Sequence, residues 1–179
     1  MKKEKCIILG KSGAGKNFLM NNLIKKGLKG CLKHTTRPPR KNEQQGIDYN
    51  FISESDFFQL LNENKFLVYQ KVIVSPENRN PEPWYYGITF EEFDKSQVLI
   101  MTPIELKNIT PEMRKGCFVV YLDIDREIRE NRITHRKDKN DSIKRRLDAD
   151  DLDFKDFNDY DLKVTDPDFS SDDVYDLME

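Results

Sequence analysis

Cysteine is scarce in this 179-residue chain, and the three present, Cys6, Cys31 and Cys117, form neither a C-x-x-C pair nor a Cys/His metal-ligand spacing. That argues against a disulfide framework and a zinc site, and predicts reduced, mostly buried thiols in a cytoplasmic protein. Long apolar runs near the N-terminus are lacking as well. The first run, Cys6 to Leu9, is too short for a signal-peptide core or a membrane span, so no membrane partner is expected. Nor is there an excess of charge of either sign. With 30 Lys and Arg against 32 Asp and Glu, the formal net charge of -2 offers no overall field to draw in nucleic acid or an anionic bilayer. Small-molecule ligands are the expected partners, for a chain acting as monomer or homodimer. The length suits one domain burying about 70% of the surface its unfolded chain exposes, with no covalent or metal staple required.

The apolar run at Cys6 to Leu9 ends at a glycine-rich loop, and Leu19, Met20, Leu23 and Ile24 then recur at helical spacing. Strand, loop and helix are therefore predicted in that order. Similar runs at Val98 to Met101 and Phe118 to Leu122, each followed by a stretch that can be helical, predict a parallel α/β sheet. Between them, Lys33 to about Thr89 is shorter in period and rich in aromatic and β-favouring residues, broken by a helix that Ser53 and Asp56 would cap. This reads as an inserted mixed sheet, with Ser75 to Pro83 as a loop. Asp125 to Thr134 and Ser142 to about Asp153 read as helices flanking the charged segment His135 to Asp141, a candidate lid. The aspartates from Asp148 to Asp161 read as a solvated helix face and loop.

Gly10, Lys11, Ser12, Gly13, Ala14, Gly15, Lys16 and Asn17 carry the spacing G-x-x-x-x-G-K. Glycines at these places let backbone amides turn inward around an anion; Lys16 adds a point charge at the β- and γ-phosphates, and the next helix adds its dipole. ATP is the expected ligand. Asn17 stands where Ser or Thr would offer a hydroxyl to Mg2+, and its amide carbonyl is the candidate metal ligand in that place.

Thr35, Thr36, Arg37, Arg40, Glu43, Gly46, Tyr49 and Phe51 fill every fixed position of T-[ST]-R-x-x-[KR]-x-x-[DE]-x-x-G-x-x-Y-x-[FY], eight positions across seventeen residues. The chain thus resembles the guanylate kinase family, from the glycine loop through Trp84-Tyr85-Tyr86-Gly87 to Arg132, Arg136 and Arg146. The resemblance implies a P-loop NTPase-type three-layer α/β/α core (1–32, 90–125, 155–179), an inserted monophosphate-binding region (33–89) and a helical lid (126–154). It implies transfer of the ATP γ-phosphoryl group to GMP or dGMP with Mg2+. Arg37 and Arg40 would hold the acceptor phosphate and Tyr49 and Tyr86 would hydrogen-bond it, with Thr36, Glu43 and Thr89 as further substrate-site residues. Arg132, Arg136 and Arg146 would close over the transferring group. Independently, guanidinium forks match phosphate oxygens, and each charge-assisted contact contributes about 1.5 to 3 kcal/mol.

Departures from the family pattern gather where the base would be read. Val68 stands where the family has a glutamate, Ile88 and then Thr89 follow Tyr85-Tyr86-Gly87 where it has a serine or threonine, and Ile100 and Thr102 replace an acidic pair. Lys33 replaces a serine. Base recognition is either rebuilt, with Glu77, Asn78, Asn80 or Glu82 from the 75–83 loop as candidates, or directed to a different or modified monophosphate. A non-catalytic domain that binds phosphorylated ligands is the reading from another class.

Overall fold

The computed structural model describes residues 3–74, 80–135 and 142–178. In chain order, β1 (Lys5–Gly10) leads into α1 (Lys16–Lys25), followed by β2 (His34–Thr35), β3 (Asn50–Phe51), α2 (Glu54–Asn62), β4 (Phe66–Val74) and β5 (Glu82–Thr89). The remainder comprises α3 (Phe90–Lys95), β6 (Val98–Ile100), α4 (Pro103–Lys107), α5 (Pro111–Lys115), β7 (Cys117–Leu122), α6 (Arg126–His135), α7 (Ile143–Asp153), β8 (Leu162–Val164) and α8 (Ser171–Asp176).

These strands form two sheets. The first has the order β6-β1-β7-β8 with every pairing parallel. Its strands are apolar on both faces because helices cover both. Ile7, Leu9, Leu99, Val119 and Tyr121 pack on one side with Phe93, Leu106 and Phe154, while Cys6, Ile8, Val98 and Val120 pack on the other with Leu19, Leu23 and Val174. Helix, sheet, helix are thus the three layers expected. All three cysteines are buried, and burial pushes the Cys6 and Cys31 thiols up to about 12.

The second sheet, β3-β2-β5-β4, is mixed, and lies within the stretch expected to be inserted. Ser53 caps α2 by accepting from the Asp56 amide. The expected 75–83 loop runs too far at its end, because Glu82 and Pro83 belong to β5 and pair with Val74 and Ile73. Pro83 is tolerated there since β2 reaches only Tyr86 and Gly87, so nothing on that side needs its missing amide hydrogen. Among the described residues no helix is long and apolar enough to cross a membrane.

Candidate active site

Gly10 ends β1, and the loop turns through Gly13 at φ 79° and Gly15 at φ 102°, left-handed conformations that glycine adopts without strain. At Gly13 the neighbour matters as much as the dihedral, since a Cβ there would lie 2.6 Å from the Arg129 carbonyl oxygen. The loop therefore packs against α6. Lys16 Nζ donates to the Gly10 and Lys11 carbonyls at 2.6 and 3.1 Å, folded over the loop that it serves. Asn17 is exposed on the first turn of α1. Among the described residues no group of three or more His, Cys, Asp or Glu side chains is placed to hold a metal. A lone amide oxygen suits a hard Mg2+ ion held chiefly by phosphate oxygens and water.

Helices α6 and α7 reach this loop by contacts that the sequence conceals. Arg129, 1% exposed, donates to the Ile124 carbonyl at 2.9 Å and to the Ser12 carbonyl at 3.4 Å. Arg132 donates to Gly13 and Pro167 carbonyls at 3.3 and 3.0 Å. Arg136 lies outside the described residues. Arg146 is half-buried on α7, and Arg145 beside it lines a neighbouring cleft. Arg129 escaped the sequence reading, although its place three residues before Arg132 puts both on one helical face.

The aspartate-rich stretch is a correction, for it is not simply a solvated face. Ser12 N donates to Asp150 Oδ2 at 2.7 Å, and Lys11 Nζ pairs with Asp151 Oδ1 at 2.7 Å. Arg126 joins Asp148 and Asp151. Asp151 is held below the usual carboxylate range by the Lys11 hydrogen bond, against a smaller effect of burial. Farther on, Asp159 and Asp161 pair with Arg114. Such ties join positions far apart in the chain, which a local charge count does not register.

The second candidate site is built around Arg37, which is 2% exposed. Its guanidinium donates to Glu43 Oε1 at 2.9 Å and lies 5.2 Å from the Tyr49 ring centre and 5.6 Å from that of Phe51. Glu43 also accepts from the Arg40 backbone at 2.8 Å and pairs with its guanidinium at 3.3 Å. One carboxylate therefore spaces both arginines. Burial works to raise the Glu43 pKa, but the hydrogen bonds from Arg37 and Arg40 prevail and hold it below the ordinary value. The Tyr86 ring sits 6.5 Å from that of Tyr49, and burial pushes its hydroxyl up to about 12, which keeps it protonated.

Threonines anchor the clamp. Thr35, fully buried, donates to the Tyr85 carbonyl at 3.0 Å and accepts from the Arg37 amide at 3.1 Å. Thr36 accepts from the Tyr85 amide at 3.0 Å, so its hydroxyl fastens the clamp loop to β5. Thr89 caps α3 by accepting from the Glu92 amide at 3.2 Å and is 8% exposed, opposite Phe66 of β4.

Beside the clamp lies a cleft of about 940 Å³ between β4, the start of α4 and α7. Gln70 and Thr102 line it, and Thr102 Oγ1 donates to Gln70 Oε1 at 3.2 Å. Behind them Lys33 Nζ donates to both oxygens of the fully buried Glu105 at 2.8 Å. Of the loop residues considered for base reading, Glu82 is committed to β5, where it accepts from Trp84 Nε1 at 3.2 Å; Asn80 is exposed, and Glu77 and Asn78 lie outside the described residues.

Comparison with known proteins agrees with this architecture. The family model described as guanylate kinase matches residues 2–178. The guanylate kinase of Histophilus somni is 35% identical over 134 residues, 70% of this chain and 52% of that protein; that of Neisseria gonorrhoeae is 37% identical over 87 residues, 48% and 38% respectively. The matched segments thus span about half or less of those two relatives. The guanylate kinase of Rickettsia prowazekii is 30% identical over 170 residues, 92% of this chain and 83% of that protein. The crystal structure of guanylate kinase from Anaplasma phagocytophilum superposes with a TM-score of 0.71 at 15% identity, covering 99% of this chain and 85% of that one, which shows the shared fold. With a family match along almost its whole length, a glycine loop at the end of β1 and a paired arginine clamp on the inserted sheet, the chain belongs to the guanylate kinase family.

Proposed function

We propose that this protein transfers the γ-phosphoryl group of ATP to GMP or dGMP, giving the nucleoside diphosphate and ADP. The observation that carries the reading is the presence of two basic clusters suited to anions in one chain: the Gly10–Asn17 loop with Lys16, and the Arg37–Glu43–Arg40 cluster. Residues 1–32, 90–125 and 155–179 would serve as core, 33–89 as acceptor region and 126–154 as lid. Lys16 would stabilise charge on the β- and γ-phosphates. Arg37, Arg40 and the Tyr86 and Tyr49 hydroxyls would orient the acceptor phosphate, while Glu43 and Thr36 would position the clamp. Arg132 and Arg146, with Arg136, would neutralise the transferring group; the buried Arg129 supports the loop from behind.

Such a site needs no side-chain base, because the acceptor phosphate is already an anion and the protein contributes position and field. Mg2+ carried by the triphosphate, with Asn17 as its protein ligand, would supply further charge neutralisation. The intact loop, with Gly13 and Gly15 in left-handed conformations and Lys16 in place, favours an enzyme over a module that only binds a phosphorylated partner. Nucleotides are the proposed partners, in the cytoplasm. The test is ADP release from ATP and Mg2+ with GMP, dGMP and each other common monophosphate. Acceptor-dependent release greatest with GMP or dGMP supports the proposal; release that ignores the acceptor, or requires another base, refutes it.

A further inference from the structure

Gln70 and Tyr86 are directly opposed across β4 and β5. Opposed residues of antiparallel strands set their side chains on the same face, with Cβ atoms about 4.5–5.5 Å apart. The Gln70 carboxamide is therefore the immediate neighbour of the ring that adjoins Tyr49 and Arg37 at the phosphate clamp. Val68 and Val72 flank it at the two-residue period of the strand, so Gln70 is the polar group in an apolar strip. Glu82 is four residues from Tyr86 along β5, roughly 13 Å away at the usual rise of a strand, and belongs to the other end of the hairpin.

Thr102 faces Gln70 from the start of α4. Its single hydroxyl hydrogen lies between two acceptors, Gln70 Oε1 and Glu105 Oε2, each at 3.2 Å, and can serve only one at a time. The amide group keeps its two N–H donors and acceptor capacity for a ligand. Glu105 has no such freedom: it is fully buried, accepts from the Thr102 amide at 2.8 Å and is gripped by Lys33. The Lys33–Glu105 pair thus fixes the first turn of α4, and with it Thr102, against Gln70.

A carboxamide presents one donor beside one acceptor, whereas a carboxylate presents acceptors only. A carboxylate complements two adjacent N–H groups, such as N1–H and the 2-amino group of guanine. A carboxamide complements an N–H next to a carbonyl, such as N1–H and the 6-oxo group. We infer that Gln70 is the specificity-determining residue for the acceptor base, positioned by Thr102, and that it reads the N1–H and 6-oxo edge common to guanine and hypoxanthine. The 2-amino group is left unread, so inosine monophosphate is a second acceptor. This inference rests on the acceptor site proposed above.

The test compares kcat/KM for GMP and inosine monophosphate in the wild type, Gln70→Glu and Gln70→Met, with the KM for ATP measured alongside. The wild type is expected to use inosine monophosphate within about tenfold of GMP. Gln70→Glu should raise the preference for GMP over inosine monophosphate by about tenfold or more, since one extra hydrogen-bonded group is then read. Gln70→Met, which keeps the length without the polar groups, should raise the KM of both acceptors and leave that of ATP unchanged. GMP turnover with inosine monophosphate rejected by more than about a hundredfold overturns this inference alone, as does an unchanged acceptor KM in Gln70→Met. A wild type that phosphorylates neither overturns the acceptor site and this inference with it.

Discussion

Replacing Glu105 by alanine removes one side chain from four hydrogen-bond contacts, two from Lys33 Nζ at 2.8 Å, one from the Thr102 amide at 2.8 Å and one from the Thr102 hydroxyl at 3.2 Å. Two losses follow. The capping box of α4 is broken, which costs about 1 kcal/mol. Lys33 also loses its carboxylate. Removing one partner of a buried pair typically costs about 3–5 kcal/mol, and the lower figure applies because the Lys33 side chain is 13% exposed and retains a route to water. Together these give about 4 kcal/mol, or a fall in Tm of roughly 8–16 °C for a domain of this size. Urea unfolding followed by circular dichroism reads the change directly. The double variant Lys33→Met, Glu105→Leu should recover most of the loss, because no charge is then left without a partner. A Glu105→Ala variant destabilised by less than about 1 kcal/mol, or a double variant worse than the single one, would refute the role given to this pair.

Two further outcomes follow from the clamp. Arg37→Ala should raise the acceptor KM by about 10- to 150-fold, the equivalent of one charge-assisted contact, and leave the KM of ATP near its wild-type value; an unchanged acceptor KM removes Arg37 from the phosphate site. Acid titration probes the same cluster. Because Glu43 has a folded pKa below its unfolded value of 4.5, its contribution to stability is present above that pH and is lost as pH falls through the lower folded value. Glu43→Gln should therefore flatten the stability profile below about pH 4.5, by up to about one proton in slope, and an identical profile in the variant argues against the pairing.

Much of the fold was legible because its signals are local. The apolar runs that became β1, β6 and β7, the glycines that turn the phosphate loop and the Ser53 cap each act within a few residues. The clamp was legible too, as a fixed spacing between Thr35 and Phe51, although the near-complete burial of Arg37 was not. What escaped is tertiary. Arg129 meets Ser12 across 117 positions, Asp150 meets it across 138, and Lys33 meets Glu105 across 72, so no window of sequence contains both partners. At Thr89 the signal is local again. A threonine before an apolar and acidic run is a helix-cap signal, and its hydroxyl accepts from the Glu92 amide at the start of α3.

The central claim is that the two basic clusters work together in phosphoryl transfer, and following the label from γ-³²P ATP in the presence of GMP tests it most directly. The account predicts labelled GDP from the wild type, at a rate reduced at least about a hundredfold in Lys16→Ala, where the positive charge on the phosphates is gone. Label released as inorganic phosphate instead of GDP, or labelled GDP formed equally well by Lys16→Ala, would contradict it.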